Sequence, residues 1–198
     1  DMNRCIVTSR HSKRPIFDFV NTDVKIGDSM KIYVFDDDYT FGIIQSNLHW
    51  MWVEGRGSSI KEDARNTTTT TYDTFPFPQH PSPEQVKAVA DTARELHEFR
   101  RERMARSDTL TLRDMYRSLE QPGKNPLKNL HDALDKAVMS AYGFDPEKDI
   151  LAQLLTLNLA VARKIEAGEA VTAPGIPENY PNPDELVSEG CIQPPELI

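Results

Sequence analysis

The segment Phe75-Pro-Phe-Pro-Gln-His-Pro-Ser-Pro-Glu-Gln85 separates two parts of different character in this sequence of 198 residues. Each proline fixes its own φ and biases the preceding residue away from the α region, so residues 75–78 are predicted to form an extended connector with two aromatic anchors. Ser82 then offers an N-cap, Pro83 the first helical position and Gln85 the third. We therefore place the boundary between a β-rich half and a helical half at this segment.

Three short runs before the connector are rich in β-branched and aromatic residues and predict three strands: Cys5-Ile-Val-Thr8, Ile16-Phe-Asp-Phe-Val20 and Lys31-Ile-Tyr-Val-Phe35. Apolar residues at helical spacing then predict one buried amphipathic helix over residues 39–53, with three acids at its positive N-terminal end. The run Gly55-Arg-Gly-Ser-Ser59 is predicted to end this helix, and residues 67–72 to form a further extended strand.

Start and stop signals after the connector predict helices from Ser82 to about Arg106, from Asn125 to a left-handed cap at Gly143, and from Asp145-Pro146 onward. A shorter helix is predicted over residues 112–119. The last helix is predicted to be largely buried, because its leucines and isoleucine are dense: Ile150, Leu151, Leu154, Leu155, Leu157 and Leu159.

The end of the chain is poor in residues that nucleate structure. From Glu166 onward there are seven acids and no Lys or Arg, and six of the 14 prolines follow Ala173. We expect an irregular coil lying over the surface. The predicted fold class is therefore α+β: a small β-rich half with one buried helix (1–78), an α-helical half (79–165) and an irregular acidic tail (166–198).

The charge of the chain excludes a generally cationic nucleic-acid binder, since 23 Lys and Arg oppose 31 Asp and Glu for a net charge of −8. The acidic end accounts for most of this excess, so residues 1–165 are nearly neutral and can present a local basic face. Two cysteines are too few for a secreted disulfide framework, which favours a reducing cytoplasm. No apolar run approaches the roughly 20 residues of a membrane span. Because the chain begins with Asp1, we expect the natural protein to extend upstream.

The sequence carries no recognisable catalytic or cofactor motif. Gly55-Arg-Gly57 follows a predicted helix rather than a strand, which argues against a nucleotide loop. Asp36-Asp-Asp38 is interpreted as a helix cap and solvated surface acids, because adjacent residues rarely converge on one ion. His131 is interpreted as a core histidine. We therefore predict no catalytic, cofactor-binding or metal-binding residue in this chain.

Two basic, hydroxyl-rich loops occur in the β-rich half, one at residues 9–14 and one at residues 56–66. Arg and Lys bind phosphates or reach guanine O6 and N7, while Asn and Ser add adaptable hydrogen bonds. The alternative interpretation is two ordinary solvated loops. The predicted DNA-binding residues are Arg10, Lys13, Arg14, Arg56, Ser58, Lys61, Arg65 and Asn66.

Several runs also resemble a known family. Asp36-Asp-Asp-Tyr-Thr-Phe-Gly-Ile-Ile-Gln-Ser46, with His49-Trp50 and Thr69-Thr-Thr-Tyr-Asp-Thr-Phe-Pro-Phe-Pro78, is similar to the C-terminal part of large bacterial DNA adenine-N6 methyltransferases. These are found in fused type II restriction–modification enzymes and in related phage-defence systems. The later runs resemble the helical segment that closes those proteins: Asn129-Leu-His-Asp-Ala-Leu-Asp-Lys-Ala-Val138, Ala141-Tyr-Gly-Phe144 and Ile150-Leu-Ala-Gln-Leu-Leu-Thr-Leu-Asn158. The similarity spans about residues 4–164.

This resemblance implies a DNA sequence-recognition fragment of a site-specific adenine-N6 DNA methyltransferase. In that family the stretch before the Phe-Pro-Phe-Pro segment belongs to the target recognition domain, and an upstream domain binds S-adenosyl-L-methionine and transfers the methyl group. The family's methyl-transfer motif, Asp/Asn/Ser-Pro-Pro followed by an aromatic residue, is not found: Pro194-Pro195 lies between Gln193 and Glu196. The implied partners are double-stranded DNA and the upstream methyltransferase domain, with no membrane and with no cofactor in this fragment.

Two alternatives remain open. The chain is also consistent with a protein-interaction or domain-docking module that uses its helical half, which fits the net acidity. The acidic tail is also consistent with a DNA mimic that covers the basic loops. Among the aromatic residues, Phe75, Phe77, Trp50 and Trp52 are predicted to be scaffold anchors, with stacking on a flipped base as the alternative for the tryptophans.

Overall fold

A computed structural model describes residues 2–10, 14–59, 72–107 and 109–192. Its sheet has three antiparallel strands in the order β2-β1-β3, formed by β1 (Arg4–Ser9), β2 (Asp18–Asn21) and β3 (Met30–Tyr33). In the register of the sheet, Ile6 lies opposite Phe19 on one side and Tyr33 on the other. The three predicted strands are confirmed.

Six α-helices lie in the described parts of the chain, together with two short 3-10 turns at Ser118–Glu120 and Pro183–Leu186. This combination confirms the α+β class. No helix in these ranges is long and apolar enough to cross a membrane. The helices are α1 (Asp38–Gln45), α2 (Asn47–Ser59), α3 (Pro83–Ala105), α4 (Leu112–Arg117), α5 (Pro126–Tyr142) and α6 (Ile150–Glu166).

The prediction of one continuous helix over residues 39–53 is wrong, because the chain forms two helices separated at Ser46. The backbone of Ser46 is extended, and its hydroxyl donates to the carbonyl of Ile43. Asp135 of α5 then accepts the N–H of Asn47 at 2.8 Å and so satisfies a donor at the start of α2. The break therefore depends on a side chain 88 residues away in the sequence.

The glycines predicted to end this helix lie inside α2, which continues to Ser59. Gly55 faces Leu151 of α6 so closely that a Cβ there would lie 3.1 Å from Leu151 Cδ2. The glycine therefore permits a close helix–helix approach instead of forming a cap. The strand predicted for residues 67–72 lies outside the described residues, except for Tyr72, which is in a turn.

The helix start signals after the connector are confirmed for α3 and α5. Ser82 caps α3 in a reciprocal capping box with Gln85. Asn125 caps α5, which ends at Gly143 with φ 64°. The last helix, however, begins at Ile150 with Asp149 as its cap, because Asp145 and Lys148 form a turn before it.

The prediction that this last helix is largely buried is wrong. Leu154 is its one buried residue, while Leu155 and Leu159 are each 48% exposed. Leucines at so many neighbouring positions point to several sides of a helix, and α6 is covered over only part of its circumference. One apolar side of α6 therefore faces solvent.

The core is continuous across the connector. Helix α1 packs on α3 so tightly that a Cβ at Gly42 would lie 2.8 Å from Val89 Cγ1. Phe75 and Phe77 are 4% and 2% exposed, and the ring of Phe75 meets that of Tyr142 edge-on. The two aromatic anchors are confirmed. The boundary between residues 78 and 79 stays a prediction, because side chains from both halves share this core.

The segment after α6 is irregular, as its composition predicts, and specific contacts attach it to the rest of the protein. Tyr180 and Leu186 are buried, and Ile192 donates its N–H to the carbonyl of Phe19 at 2.9 Å. Gln79 exchanges two hydrogen bonds with the backbone of Thr172. A few apolar and amide groups therefore hold the segment in place, which the count of acids and prolines does not reveal.

Candidate nucleic-acid interface

The first predicted basic loop begins where the β1–β3 ladder ends. Arg10 donates its backbone N–H to the carbonyl of Ser29 at 2.9 Å, and its Nε lies 3.2 Å from the carbonyl of Met30. The side chain is exposed. These two bonds fix Arg10 at the end of the central strand, and a guanidinium is a side chain that binds phosphates and bases.

Lys31 lies beside this arginine and was not among the predicted site residues. It faces Thr8 in the ladder, two positions before Arg10. Burial and the charge of Arg10 both lower the pKa of Lys31. In the sequence, Lys31 is only the first residue of a predicted strand, and no local pattern indicates that it neighbours Arg10.

Arg14, at the other end of the same loop, reaches the helical half. Its guanidinium carbon lies 5.8 Å from the ring centre of Tyr116 on α4. Burial, together with the charges of Arg100 and Arg14, lowers the pKa of His131 to about 3. Burial raises the pKa of Asp135 to about 6 against the opposing charge of Arg14. Arg14 therefore lies at the junction between the loop, α4 and α5.

The prediction that the second basic loop begins at residue 56 is wrong. Arg56 and Ser58 lie in the last turns of α2, because the helix does not end at Gly55. Lys13, Lys61, Arg65 and Asn66 lie outside the described residues. The structure thus places Arg10 at the sheet, Arg14 over α4 and the backbone of residues 56–58 in a helix.

A buried ionic cluster beneath the sheet holds four parts of the chain together. Asp38 pairs with Arg4 at 2.8 Å and with Arg94 at 3.0 Å, and it accepts the hydroxyl of Ser188 at 3.0 Å. Its side chain is fully buried, so the prediction of a solvated acid at this position is wrong. The buried carboxylate is tolerated because two arginines and a hydroxyl satisfy it.

The neighbouring Asp37 caps α1, as predicted for this acidic run. Its carboxylate accepts the N–H of Thr40 at 2.6 Å. Burial raises the pKa of Asp37 to about 6, and the Thr40 hydrogen bonds oppose that rise. The cap fixes the start of α1 next to the ionic cluster.

A second buried polar chain runs from β2 to α5. His97 Nδ1 lies 2.8 Å from Asp18 Oδ1, and Arg100 donates to the carbonyl of Phe17 at 2.8 Å. Arg100 also donates to the hydroxyl of Tyr116, which lies 2.8 Å from His131 Nε2. His131 is a core histidine, as predicted. Because Arg14 lies over Tyr116, this chain of contacts connects the end of the loop, through the helical half, to the strand that follows it, β2.

An aromatic cluster supports α2. The ring of His49 lies between Phe17 and Phe75, with centroid distances of 5.5 and 4.8 Å. Burial lowers the pKa of His49 to about 4. Trp52 is 2% exposed and packs edge-on against Phe75. Trp52 is therefore a buried scaffold residue of α2, while Trp50 of the same helix is half-buried.

In the described parts of the chain, no group of three His, Cys, Asp or Glu side chains is arranged to hold a metal ion. Cys5 and Cys191 are both free thiols, and burial raises the pKa of each. At the sheet, Arg10 and Arg14 bring positive charge and hydrogen-bond donors to the two ends of the first basic loop.

Residues 4–79 match the family model of the MmeI target recognition domain. We call residues 4–79 the recognition segment after this family, and the match confirms the resemblance predicted from sequence. The recognition segment contains the sheet, α1, α2 and the connector, and it includes all eight predicted DNA-binding residues.

Two relatives extend this comparison. The chain is 30% identical over 131 residues to DNA methyltransferase A of Bacillus subtilis (strain 168), which covers 64% of this chain and 14% of that protein. Its fold is similar to that of the type IIL restriction-modification enzyme MmeI, solved in complex with DNA, with a TM-score of 0.67 and 22% identity over 81% of this chain. The chain spans 14% of the first relative and 22% of the second. The structural likeness to MmeI covers 81% of this chain, far more than residues 4–79 alone, so it extends into the helical half.

Proposed function

We propose that this chain is the DNA sequence-recognition part of a site-specific adenine-N6 DNA methyltransferase in a restriction–modification or phage-defence system. The observation that carries the proposal is the family match of residues 4–79, in which the exposed Arg10 lies at the end of the sheet. The resemblance of the later helical runs to the same methyltransferases supports it. The solved relative, MmeI, was captured with DNA.

Sequence is read in this proposal by side chains of the two basic regions. Arg10, with the predicted residues at 13, 61, 65 and 66, contacts base edges in the major groove, where arginine forms two hydrogen bonds to guanine. Each well-aligned pair of this kind contributes roughly 1–3 kcal/mol of discrimination. Arg14 has the separate role of positioning the loop, because it packs over Tyr116.

Methyl transfer belongs to an upstream domain in the same proposal. S-adenosyl-L-methionine and the extruded adenine are held there, since enzymes that modify a base take it out of the stack. The Gly-x-Gly of this chain does not offer a cofactor cradle: Gly55 lies inside α2 with Leu151 packed against it. The partners are double-stranded DNA and that upstream domain, and the compartment is the cytoplasm.

Binding to a pool of random duplexes tests the proposal. The chain is titrated at several salt concentrations and the bound DNA is sequenced. We expect enrichment of a short motif that contains adenine, with an affinity that falls as salt rises. Salt-dependent binding without any enriched motif would contradict sequence recognition by this part of the protein.

A domain-docking module is the second candidate, and the exposed apolar side of α6 favours it. Leu155 and Leu159 lie one turn apart and are each 48% exposed. The double substitution Leu155→Ser and Leu159→Ser leaves DNA binding unchanged if the two functions are separate. Loss of an assembly with the upstream domain, at unchanged DNA affinity, would support docking.

A further inference from the structure

A row of four exposed cations crosses the helical half outside the recognition segment. Arg113 and Arg117 lie one turn apart on α4, and Lys124 and Lys128 lie at the start of α5. All four are exposed. We call these four residues the cationic strip.

Hydrogen bonds between α4 and α5 hold the two parts of the strip together. Asn125, the cap of α5, donates from Nδ2 to the carbonyl and the hydroxyl of Ser118, both at 3.0 Å. Arg117 directly precedes Ser118, and Lys124 directly precedes Asn125. The contact therefore brings the second arginine beside the first lysine, although six residues lie between them in the chain.

The charge of this region is opposite to that of the whole protein. Residues 100–128 contain eight Lys and Arg against four Asp and Glu, whereas the chain has a net charge of −8. One of these acids, Asp114, is engaged in the capping box with Thr111 and lies 3.8 Å from Arg117. The strip thus presents positive charge on an acidic protein, which attracts a polyanion locally.

The strip adjoins the recognition loop through Tyr116. This residue directly precedes Arg117 on α4, and Arg14 lies over its ring. Tyr116 is also fixed from below by Arg100 and His131. One rigid residue therefore connects the end of the basic loop at residues 10–14 to the middle of the strip.

We propose that the cationic strip binds the phosphodiester backbone of duplex DNA beside the bases that the recognition segment reads. This inference rests on the proposed function and adds a contact surface from the helical half. Long exposed Lys and Arg side chains suit phosphates, which set the register of a protein on DNA without reading its sequence.

An acidic protein surface is the other polyanion to consider, and the composition of the strip disfavours it. Protein interfaces have an apolar, desolvated centre. No large hydrophobic side chain is exposed among residues 109–129, all of which the structure describes. The exposed leucines of the helical half lie instead on α6.

The test compares two fourfold variants of the whole chain with equal changes in net charge. The strip variant is R113Q/R117Q/K124Q/K128Q. The control variant, K87Q/K136Q/K148Q/R163Q, removes four exposed cations elsewhere in the helical half. Both are titrated with the random duplex pool between about 50 and 200 mM salt, a range over which phosphate contacts dominate affinity. Thermal unfolding checks that both variants remain folded.

A plot of log K against log salt has a negative slope, and each phosphate contact adds about 0.9 to its steepness. We therefore expect this slope to be about three to four shallower for the strip variant than for the unmodified chain. Its affinity at low salt should fall at least tenfold, while its enriched motif stays the same. The control variant should keep the slope of the unmodified chain. Equal slopes for the two variants, with the motif retained, would overturn the proposal that the cationic strip binds the DNA backbone. The proposed function would stay intact.

Other outcomes separate the two proposals further. Salt-dependent binding that the strip variant loses, without any enriched motif in the unmodified chain, would support the strip and contradict sequence reading. Absence of salt-dependent DNA binding by the unmodified chain would overturn both. Binding of the strip to a polyglutamate peptide as tightly as to duplex DNA would overturn the assignment to DNA.

Discussion

Arg4 and Asp38 form an ion pair of 2.8 Å inside the protein, where the Arg4 side chain is 4% exposed and the Asp38 side chain is fully buried. The first strand and the first helix are joined by this contact. Arg4 also lies over the ring of Phe19, 3.6 Å from its centre, which orders the guanidinium from the other side.

Removal of one partner of this pair should destabilise the fold strongly. We expect Asp38→Ala to lower the free energy of unfolding by about 3–5 kcal/mol, because Arg4 would remain buried without its counter-charge. Urea denaturation measures the change. Glu102→Ala is the control, since its pair with Arg106 is more than two-thirds exposed and should be worth less than about 1 kcal/mol. Similar losses for both variants would contradict this account of the cluster.

Phe75 is expected to act through stability and not through direct DNA contact. Phe75→Ala should cost roughly 3–5 kcal/mol, because the ring is buried among His49, Trp52 and Tyr142. Val34→Ala, at a position 72% exposed, should cost almost nothing. Unchanged unfolding of the Phe75 variant, together with loss of DNA binding, would show that the ring is not a scaffold residue.

The close packing of α1 on α3 predicts a coupled pair of substitutions. Gly42→Ala places a methyl group 2.8 Å from Val89 Cγ1 and 3.0 Å from Ala93 Cβ, so it should destabilise the protein by about 1–3 kcal/mol. Val89→Ala creates space at the same point. The double variant should therefore be more stable than the sum of the single changes predicts, which a double-mutant cycle of unfolding free energies measures. Strict additivity would mean that the two positions do not compete for space.

Acidification should destabilise the fold through His49. Burial lowers the pKa of His49 to about 4 in the folded protein, below the ordinary value of 6.5. The folded state therefore resists protonation, so stability from this group is complete above pH 6.5 and is lost as the pH falls towards 4. The loss at pH 4.5 should be roughly 2 kcal/mol.

Unfolding free energies measured from pH 7 to 4.5 check this effect, with His49→Gln as the comparison. Asp37 and Asp135 act in the opposite direction, because burial raises the pKa of each to about 6. Their stabilisation is present at low pH and is lost as the pH rises through 6. At each pH, the difference in unfolding free energy between the unmodified protein and the His49→Gln variant gives the contribution of the histidine. The same pH dependence in both proteins would contradict its role.

Arg10 and Arg14 should separate into a reading residue and a positioning residue. Arg10→Gln should change the enriched motif or weaken binding to it by about 5- to 150-fold, equivalent to roughly 1–3 kcal/mol, with little effect on unfolding. Arg14→Gln should lower the unfolding temperature, because it removes the contact with Tyr116. Binding to the random pool and thermal unfolding, both measured on each variant, distinguish these roles. Identical effects of the two changes would contradict the separation.

Local signals in the sequence predicted the elements that form from local interactions. The capping box of Ser82 and Gln85, the proline at the start of α3 and the left-handed Gly143 act within a few residues, and all were confirmed. The break at Ser46 depends instead on Asp135, and the continuation of α2 through Gly55 on the packing of Leu151. These contacts between distant residues have no signature in the local pattern.

The candidate site was predicted in composition but not in arrangement. Arg10 and Arg14 look equivalent in the sequence, and only the packing of Tyr116 distinguishes them. Lys31 was hidden within a strand pattern. The cationic strip was overlooked because charges spaced by four residues on a helix usually indicate an ordinary solvated surface. Its continuity arises from the contact between Asn125 and Ser118.

The attachment of the segment around Gly190 defines what can be exchanged between related proteins. Arg4 donates to the carbonyl of Gly190 at 3.0 Å, and a Cβ at that glycine would lie 2.9 Å from His97 Nε2. A chimera that transplants residues 4–79 alone would join a foreign first strand to a closing segment shaped for another partner. The transferable unit for redesign of specificity is therefore the recognition segment together with the chain up to Ile192.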